Sequence, residues 1–148
     1  MKVSDVMTTG LVTVRPEDTL GTAVQRMIMR RCGSLPVTGD HGELVGIVTI
    51  RDTMLPLYPN FGEYVHDAVN ARDFVGMEEN YKRVMRMKVR DVMTPDPMTV
   101  SADDPVLKAA SYMGLKNLRR IPVTDQGRLA GIVSIGDINR GLYITQHH

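Results

Sequence analysis

The chain has a single cysteine, Cys32, so no internal disulfide is possible and a reducing compartment is the expected home. It has almost no net charge, +1 from 18 basic and 17 acidic side chains. That balance leaves no nucleic-acid footprint and no attraction to anionic lipid. Basic residues gather only as the pairs Arg30-Arg31 and Arg119-Arg120, the ordinary make-up of a solvated face. No apolar run approaches the roughly 18 residues of a membrane span. The opening Met1-Lys2-Val3-Ser4-Asp5 lacks the basic-then-apolar form of a secretory signal. A cytoplasmic protein without membrane contact is the expectation. Catalytic motifs are missing too: there is no Walker loop, no GxSxG and no HExxH. Cys32 has no histidine or second cysteine near it in sequence, and His41 and His66 have no partner at metal-ligand spacing. The chain therefore reads as non-enzymatic, with no metal site.

What is present is ordinary globular material: 148 residues, 43% hydrophobic and 24% charged, enough for a real core. Eleven methionines are many for this length, and adaptable packing is their default explanation.

The informative feature is a repeat. Residues 2–38 shifted by 86 meet residues 88–124, and residues 42–54 shifted by 85 meet residues 127–139. Identities fall on 21 of the 50 aligned pairs, far above chance, among them Val3, Asp5, Met7, Thr8, Asp18, Ala23, Met27, Pro36, Gly46 and Asp52 of the first copy. Repeat 1 spans 1–54, repeat 2 spans 88–148, and residues 55–87 connect them.

Each copy has the same plan, an α/β unit of short helix, strand, helix, strand, strand, helix. The short helices are Val3 to Met7 and Val89 to Met93. Strands at Val12-Thr13-Val14 and Met98-Thr99-Val100 follow. The next helices place Leu20, Ala23, Val24, Met27 and Ile28, or Val106, Ala109, Ala110 and Met113, on one face. Asp18 and Asp104 sit where N-caps belong, and Pro105 suits a first helical position. Strands Leu35-Pro36-Val37 and Ile121-Pro122-Val123, turns at Gly42 and Gly127, and a last strand and helix complete the unit. Those helices are expected over Ile50 to Leu55 and Ile135 to Tyr143. Two such copies are expected to pack about a pseudo-twofold axis.

The last strand and helix meet at Gly46-Ile47-Val48-Thr49-Ile50-Arg51-Asp52 and at Gly131-Ile132-Val133-Ser134-Ile135-Gly136-Asp137. A hydroxyl at the joint and an acid three residues on have two uses. One is a capping box, in which the two side chains satisfy orphan backbone donors. The other is ligand recognition, because a helix N-terminus attracts an anion and a carboxylate can hold a ribose diol.

The connector reads as amphipathic helix over 63–86, interrupted near Gly76, with Pro56 and Pro59 breaking the helix before it. A strap over the module is one reading; a sensor of ligand occupancy or part of a dimer contact is the other.

These motifs, Val-x-Asp-Val-Met-Thr at each start and Gly-Ile-Val-Thr/Ser-Ile-x-Asp at each end, resemble the cystathionine-β-synthase (CBS) domain in its tandem form, the Bateman module. The resemblance covers 2–54 and 88–141. It implies a regulatory module binding adenosine ligands (AMP, ADP, ATP or S-adenosylmethionine) in clefts between the copies, a homodimer, and an effector protein as partner. Carried over by residue, Asp137 would hold the ribose, Ser134 would reach ribose or phosphate, and Ile132 would pack on adenine, with Thr8 and Val12 completing that cleft. Asp52, Thr49 and Ile47 would do the same with Thr94 and Met98. Arg120, beside Arg119, stands where a basic residue would meet phosphate; the first copy has Ser34 there. Gly136 opposes Arg51, which makes the Asp137 site the better expected nucleotide site. The alternative is a scaffold or dimerisation module whose clefts are filled by side chains and whose acids only cap helices.

Overall fold

The computed structural model describes residues 1–58 and 74–146. They form an α/β fold in which each repeat carries a three-stranded sheet and helices. In chain order the elements are α1 (Leu20–Arg30), β1 (Ser34–Thr38), β2 (Leu44–Thr49), α2 (Ile50–Met54), α3 (Phe74–Glu79), α4 (Tyr81–Met85), β3 (Thr94–Pro95), β4 (Val100–Ser101), α5 (Val106–Leu115), β5 (Arg120–Asp125), β6 (Arg128–Ser134) and α6 (Ile135–Gln146). Short 3-10 turns stand at Val3–Asp5, Leu55–Leu57 and Val89–Asp91. Contacts divide the chain into two compact units: unit one holds Met1–Leu11, Thr38–Val45 and Asp96–His148, and unit two holds Val12–Val37 and Gly46–Pro95.

In unit one, β4 runs parallel to β5, and β5 pairs antiparallel with β6 in register Arg120↔Ser134, Pro122↔Ile132. The core gathers Val3, Val100, Val106, Ala109, Met113, Ile121, Val123, Val133 and Ile138. Val3 comes from the first repeat, yet it is fully buried among side chains of the second. Its N–H donates to Asp104 O at 2.8 Å, and that of Ser4 to Ala102 O at 2.9 Å. Unit two is built the same way in reverse. Val89 N–H donates to Asp18 O at 2.8 Å and Arg90 N–H to Pro16 O at 2.9 Å, with Val89 fully buried. Each repeat's opening turn is thus part of the other repeat's core. Burying one such valine is worth about 1.5–3 kcal/mol.

In α1, Leu20, Ala23 and Met27 are buried, but Ile28 is 70% exposed, against the expected face. At 100° per residue the three buried positions centre about 20° behind Leu20, and Ile28 lies some 100° from that centre, past the stripe's edge. In α5, Val106, Ala109 and Met113 are buried as the spacing predicts. Both helices end in a left-handed residue at equivalent positions, Arg31 (φ 52°) and Asn117 (φ 54°).

Other expectations shift by a residue or two. The N-cap positions are held by Thr19, whose side chain accepts from the Thr22 N–H, and by Pro105. Asp18 and Asp104 instead close the preceding turns, accepting from Arg15 N–H at 2.8 Å and Ser101 N–H at 2.9 Å. The early strand of repeat 1 shrinks to one parallel bridge, Val14↔Val37, and that of repeat 2 starts at Val100. The connector's helices break at Asn80, while Gly76 lies inside α3. Pro59, Tyr64, Val65, His66, Ala68 and Val69 lie outside the described residues, as do His147 and His148.

Candidate functional site

In unit one, β6 delivers Gly131 to Ser134 directly into α6. Thr8 lies antiparallel to Ile132: the Thr8 N–H donates to Ile132 O at 2.8 Å, and the Ile132 N–H to Thr8 O at 3.0 Å. Glycine at 131 is what admits this strand, since a Cβ there would stand 2.7 Å from Thr8 O and 2.8 Å from Met7 Sδ. Three residues on, the Ser134 N–H donates to Asp137 Oδ2 at 3.0 Å, and the Asp137 N–H donates to Ser134 Oγ at 3.0 Å. Arg140 reaches Asp137 Oδ1 at 3.5 Å, with its own side chain 70% exposed and that of Asp137 19% exposed. Such a surface pair is worth about 0–1 kcal/mol, so a ligand hydroxyl can displace it. Arg120 stands opposite Ser134 in the sheet, and Arg119 O accepts the Ile135 N–H at 3.3 Å. Both arginines are exposed.

Unit two repeats the arrangement. β3 pairs antiparallel with β2 in register Gly46↔Pro95 and Ile47↔Thr94. A Cβ at Gly46 would lie 2.8 Å from Met93 Sδ and 2.9 Å from Thr94 O. The Thr49 N–H donates to Asp52 Oδ2 at 2.8 Å, and the Asp52 N–H to Thr49 Oγ1 at 3.2 Å. The Ile50 N–H donates to Gly33 O at 2.8 Å.

The capping box is therefore formed in both copies. It engages one carboxylate oxygen of each acid, Oδ2, and leaves Oδ1 outside the cap. Capping and ligand recognition are compatible here, since a carboxylate has about four acceptor positions and the cap uses one. Ile47 and Ile132 are half-buried beside the joints, whereas Thr8 and Thr94 are exposed. Gly136 has only Ser134 Oγ near its absent Cβ, at 3.7 Å, so the first turn of α6 is open where the first turn of α2 carries Arg51. Thr8, Ile132, Ser134, Asp137, Arg119 and Arg120 belong to unit one, and Ile47, Thr49, Asp52 and Thr94 to unit two. Val12 belongs to unit two, half-buried ahead of the Val14 bridge, and Met98 to unit one, 38% exposed ahead of Val100. The role of Met7 and Met93 against the two glycines went unread in the sequence; the signal was that Met7 and Gly46 both recur.

Among the described residues no group of three or more His, Cys, Asp and Glu side chains is placed to hold a metal ion, and no helix is long and apolar enough to cross a membrane.

Residues 3–55 and 89–143 match the family described as CBS domain. An uncharacterised protein of Bacillus subtilis, YlbB, is 33% identical over 139 residues, 93% of this chain and 80% of that protein. The crystal structure of CBSX2 in complex with AMP superposes with a TM-score of 0.73 at 28% identity, covering 99% of this chain and 98% of that one. CBSX2 is an Arabidopsis thaliana protein. A CBS domain pair in complex with 5′-methylthioadenosine and S-adenosyl-L-methionine shares the fold, with a TM-score of 0.67 at 23% identity and coverage of 98% of each chain. The chain spans 80% of the bacterial relative and 62% of the full-length plant protein.

Proposed function

Because the chain belongs to the CBS domain family, as a tandem pair, we propose that it is a regulatory module that binds an adenosine-containing ligand and passes the change to a partner protein. The supporting observation is that one joint is built twice, a capped carboxylate and hydroxyl at a helix start beside a glycine-admitted strand. In the better site Asp137 accepts from the ribose hydroxyls, Ser134 reaches ribose or phosphate, Ile132 meets the adenine, and Thr8 completes it. Arg120, with Arg119 beside it, forks onto a phosphate. Asp52, Thr49, Ile47 and Thr94 form the second, weaker site, which has Ser34 in place of the second arginine. AMP is the first ligand to test, because CBSX2 holds it; ADP, ATP and S-adenosylmethionine share the adenosine. The module works without catalysis. It acts as a homodimer in the cytoplasm, and Leu107, Leu115, Tyr143 and Ile144, exposed on α5 and α6, suit such a contact.

Thermal unfolding with added AMP is the test. A ligand at ~100 times its dissociation constant adds about 2.7 kcal/mol. For a chain of this size that raises Tm by roughly 5–11 °C. Asp137→Asn keeps an acceptor for the Ser134 N–H but replaces charge with a donor, so basal stability holds while the AMP response falls. The formed caps favour one other reading, a scaffold whose acids only hold helices. It wins if AMP, ATP and S-adenosylmethionine all leave Tm unchanged while Asp137→Ala lowers basal stability.

A further inference from the structure

The two joints share a capping box but differ in charge. In unit one the Asp137 carboxylate gives Oδ2 to its own cap and Oδ1 to Arg140 at 3.5 Å. Its charge is thereby balanced by a side chain of the same helix, α6. Arg120 stands opposite Ser134 in the sheet, and directly paired residues project from the same face, about 5 Å apart at Cβ. Arg120 is exposed, and among the described residues no carboxylate pairs with it.

Other acids of unit one are engaged away from this joint. Asp5 accepts from the Lys2 N–H, Asp103 from the Lys2 side chain, and Asp104 from the Ser101 N–H and Lys108. Asp125 stands opposite Arg128 at the far end of β5, about 17 Å along the strand from Arg120. The joint thus sets one carboxylate against two guanidinium groups, a net positive charge. Repeat 1 has Ser34 at the place of Arg120 and, by the shift of 85, Leu55 at the place of Arg140. Its stretch 47–55 holds one cation, Arg51, and one acid, Asp52. The surplus therefore belongs to the second repeat and not to the shared fold.

We propose that Arg140 is a specificity-determining residue, through which the Asp137 joint selects adenosine ligands by charge: it takes an adenosine phosphate and rejects S-adenosylmethionine. The ribose hydroxyls are common to both ligands, so they do not discriminate. A nucleoside monophosphate brings a charge of about −2, onto which Arg120 can fork two N–H groups. S-adenosylmethionine brings a sulfonium and an ammonium against one carboxylate, a net positive charge. With Arg140 on Asp137 the carboxylate offers that cation little attraction, and Arg120 repels it. Without Arg140 the bare carboxylate would attract the cation and repel the phosphate. The pair also costs every ligand something, because a ribose hydroxyl must share or displace Arg140 at Oδ1. The inference rests on the reading of this joint as an adenosine site, and uncharged adenosine separates the two.

The test is an NMR titration of the full chain, followed at the Gly136 amide in the first turn of α6 so that this joint is read apart from the Asp52 joint. AMP, adenosine and S-adenosylmethionine are the probes. AMP should bind at least ~10-fold more tightly than S-adenosylmethionine. Arg140→Leu, the residue of repeat 1 at this place, should narrow that preference by at least ~3-fold. That is about 0.6 kcal/mol, within the range of an exposed charge pair. Adenosine should bind this variant at least as tightly as before, and Arg140→Lys should keep the preference. The Arg140 side chain is 70% exposed, so both variants should keep Tm. The proposal is overturned if S-adenosylmethionine matches AMP, if Arg140→Leu leaves their ratio unchanged, or if it weakens all three ligands alike. Adenosine binding without a charge preference overturns this inference and leaves the adenosine site standing. No shift at Gly136 with any of the three overturns both.

Discussion

Replacing Gly131 by alanine should cost far more than a methyl group ordinarily does. The added Cβ would stand 2.7 Å from Thr8 O and 2.8 Å from Met7 Sδ. The thioether can swing aside, but the carbonyl is backbone, held by the Ile132 N–H at 3.0 Å, so the strand must move. Overpacking of this kind costs about 1–3 kcal/mol. Loosening the two hydrogen bonds between Thr8 and Ile132 adds about 1 kcal/mol each. The expected loss is therefore about 3–5 kcal/mol in urea unfolding, roughly 6–20 °C in Tm. Gly136→Ala is the control: its Cβ would meet only Ser134 Oγ at 3.7 Å within α6, so it should be neutral or stabilise by up to about 1 kcal/mol. Combining Gly131→Ala with Met7→Ala removes the sulfur contact and not the carbonyl contact, so the combination should recover little. A Gly131→Ala loss below about 0.5 kcal/mol, with hydrogen exchange at Ile132 unchanged, would refute the close approach of the two strands.

Three further outcomes follow from the same geometry. Thr49→Ala and Ser134→Ala each remove the hydroxyl from a formed capping box and should cost about 0.5–2 kcal/mol by chemical denaturation. Met27→Ala, at a 2% exposed core position, should cost about 2–5 kcal/mol, while Ile28→Ser one residue away should stay within about 0.5 kcal/mol; similar losses at both would show that the face is misplaced. The Asp104 carboxyl is held below its ordinary pKa, first by the Ser101 N–H and then by Lys108 against a burial penalty. Its unfolded form thus binds protons more readily, so its contribution is present above about pH 4 and is lost as pH falls through the lower folded value. Asp104→Asn should flatten that part of the stability curve between about pH 2 and 5, read by urea titrations; an unchanged slope would refute the assignment.

The sequence shows the element order because the two copies vouch for each other: a pattern at Val106, Ala109 and Met113 repeats one at Leu20, Ala23 and Met27. It does not show where a buried stripe stops, and Ile28 sits past that edge because periodicity marks a face without its width. Asp18 and Asp104 are good caps by type, but each is drawn one residue earlier to close a turn with Arg15 or Ser101. Gly76 looks like a break, yet glycine costs a helix only about 1 kcal/mol and α3 runs through it. The recurrence of Gly46 and Gly131 is visible, but not the strand that each admits, because that partner lies across the chain. The capping box was readable residue by residue, since all of its partners are local.

The traded opening turns also set an order of events at the ribosome. Every residue of unit two has been made once Pro95 is added, whereas Val3, made about 100 residues before Val100, packs against Val100, Ile121 and Val133. At about 5–20 residues per second, the Thr8 segment waits roughly 6–25 s for Ile132 to be synthesised. Through that interval the nascent chain carries an apolar segment whose partners are not yet made, which is the stretch a trigger-type chaperone would have to shield.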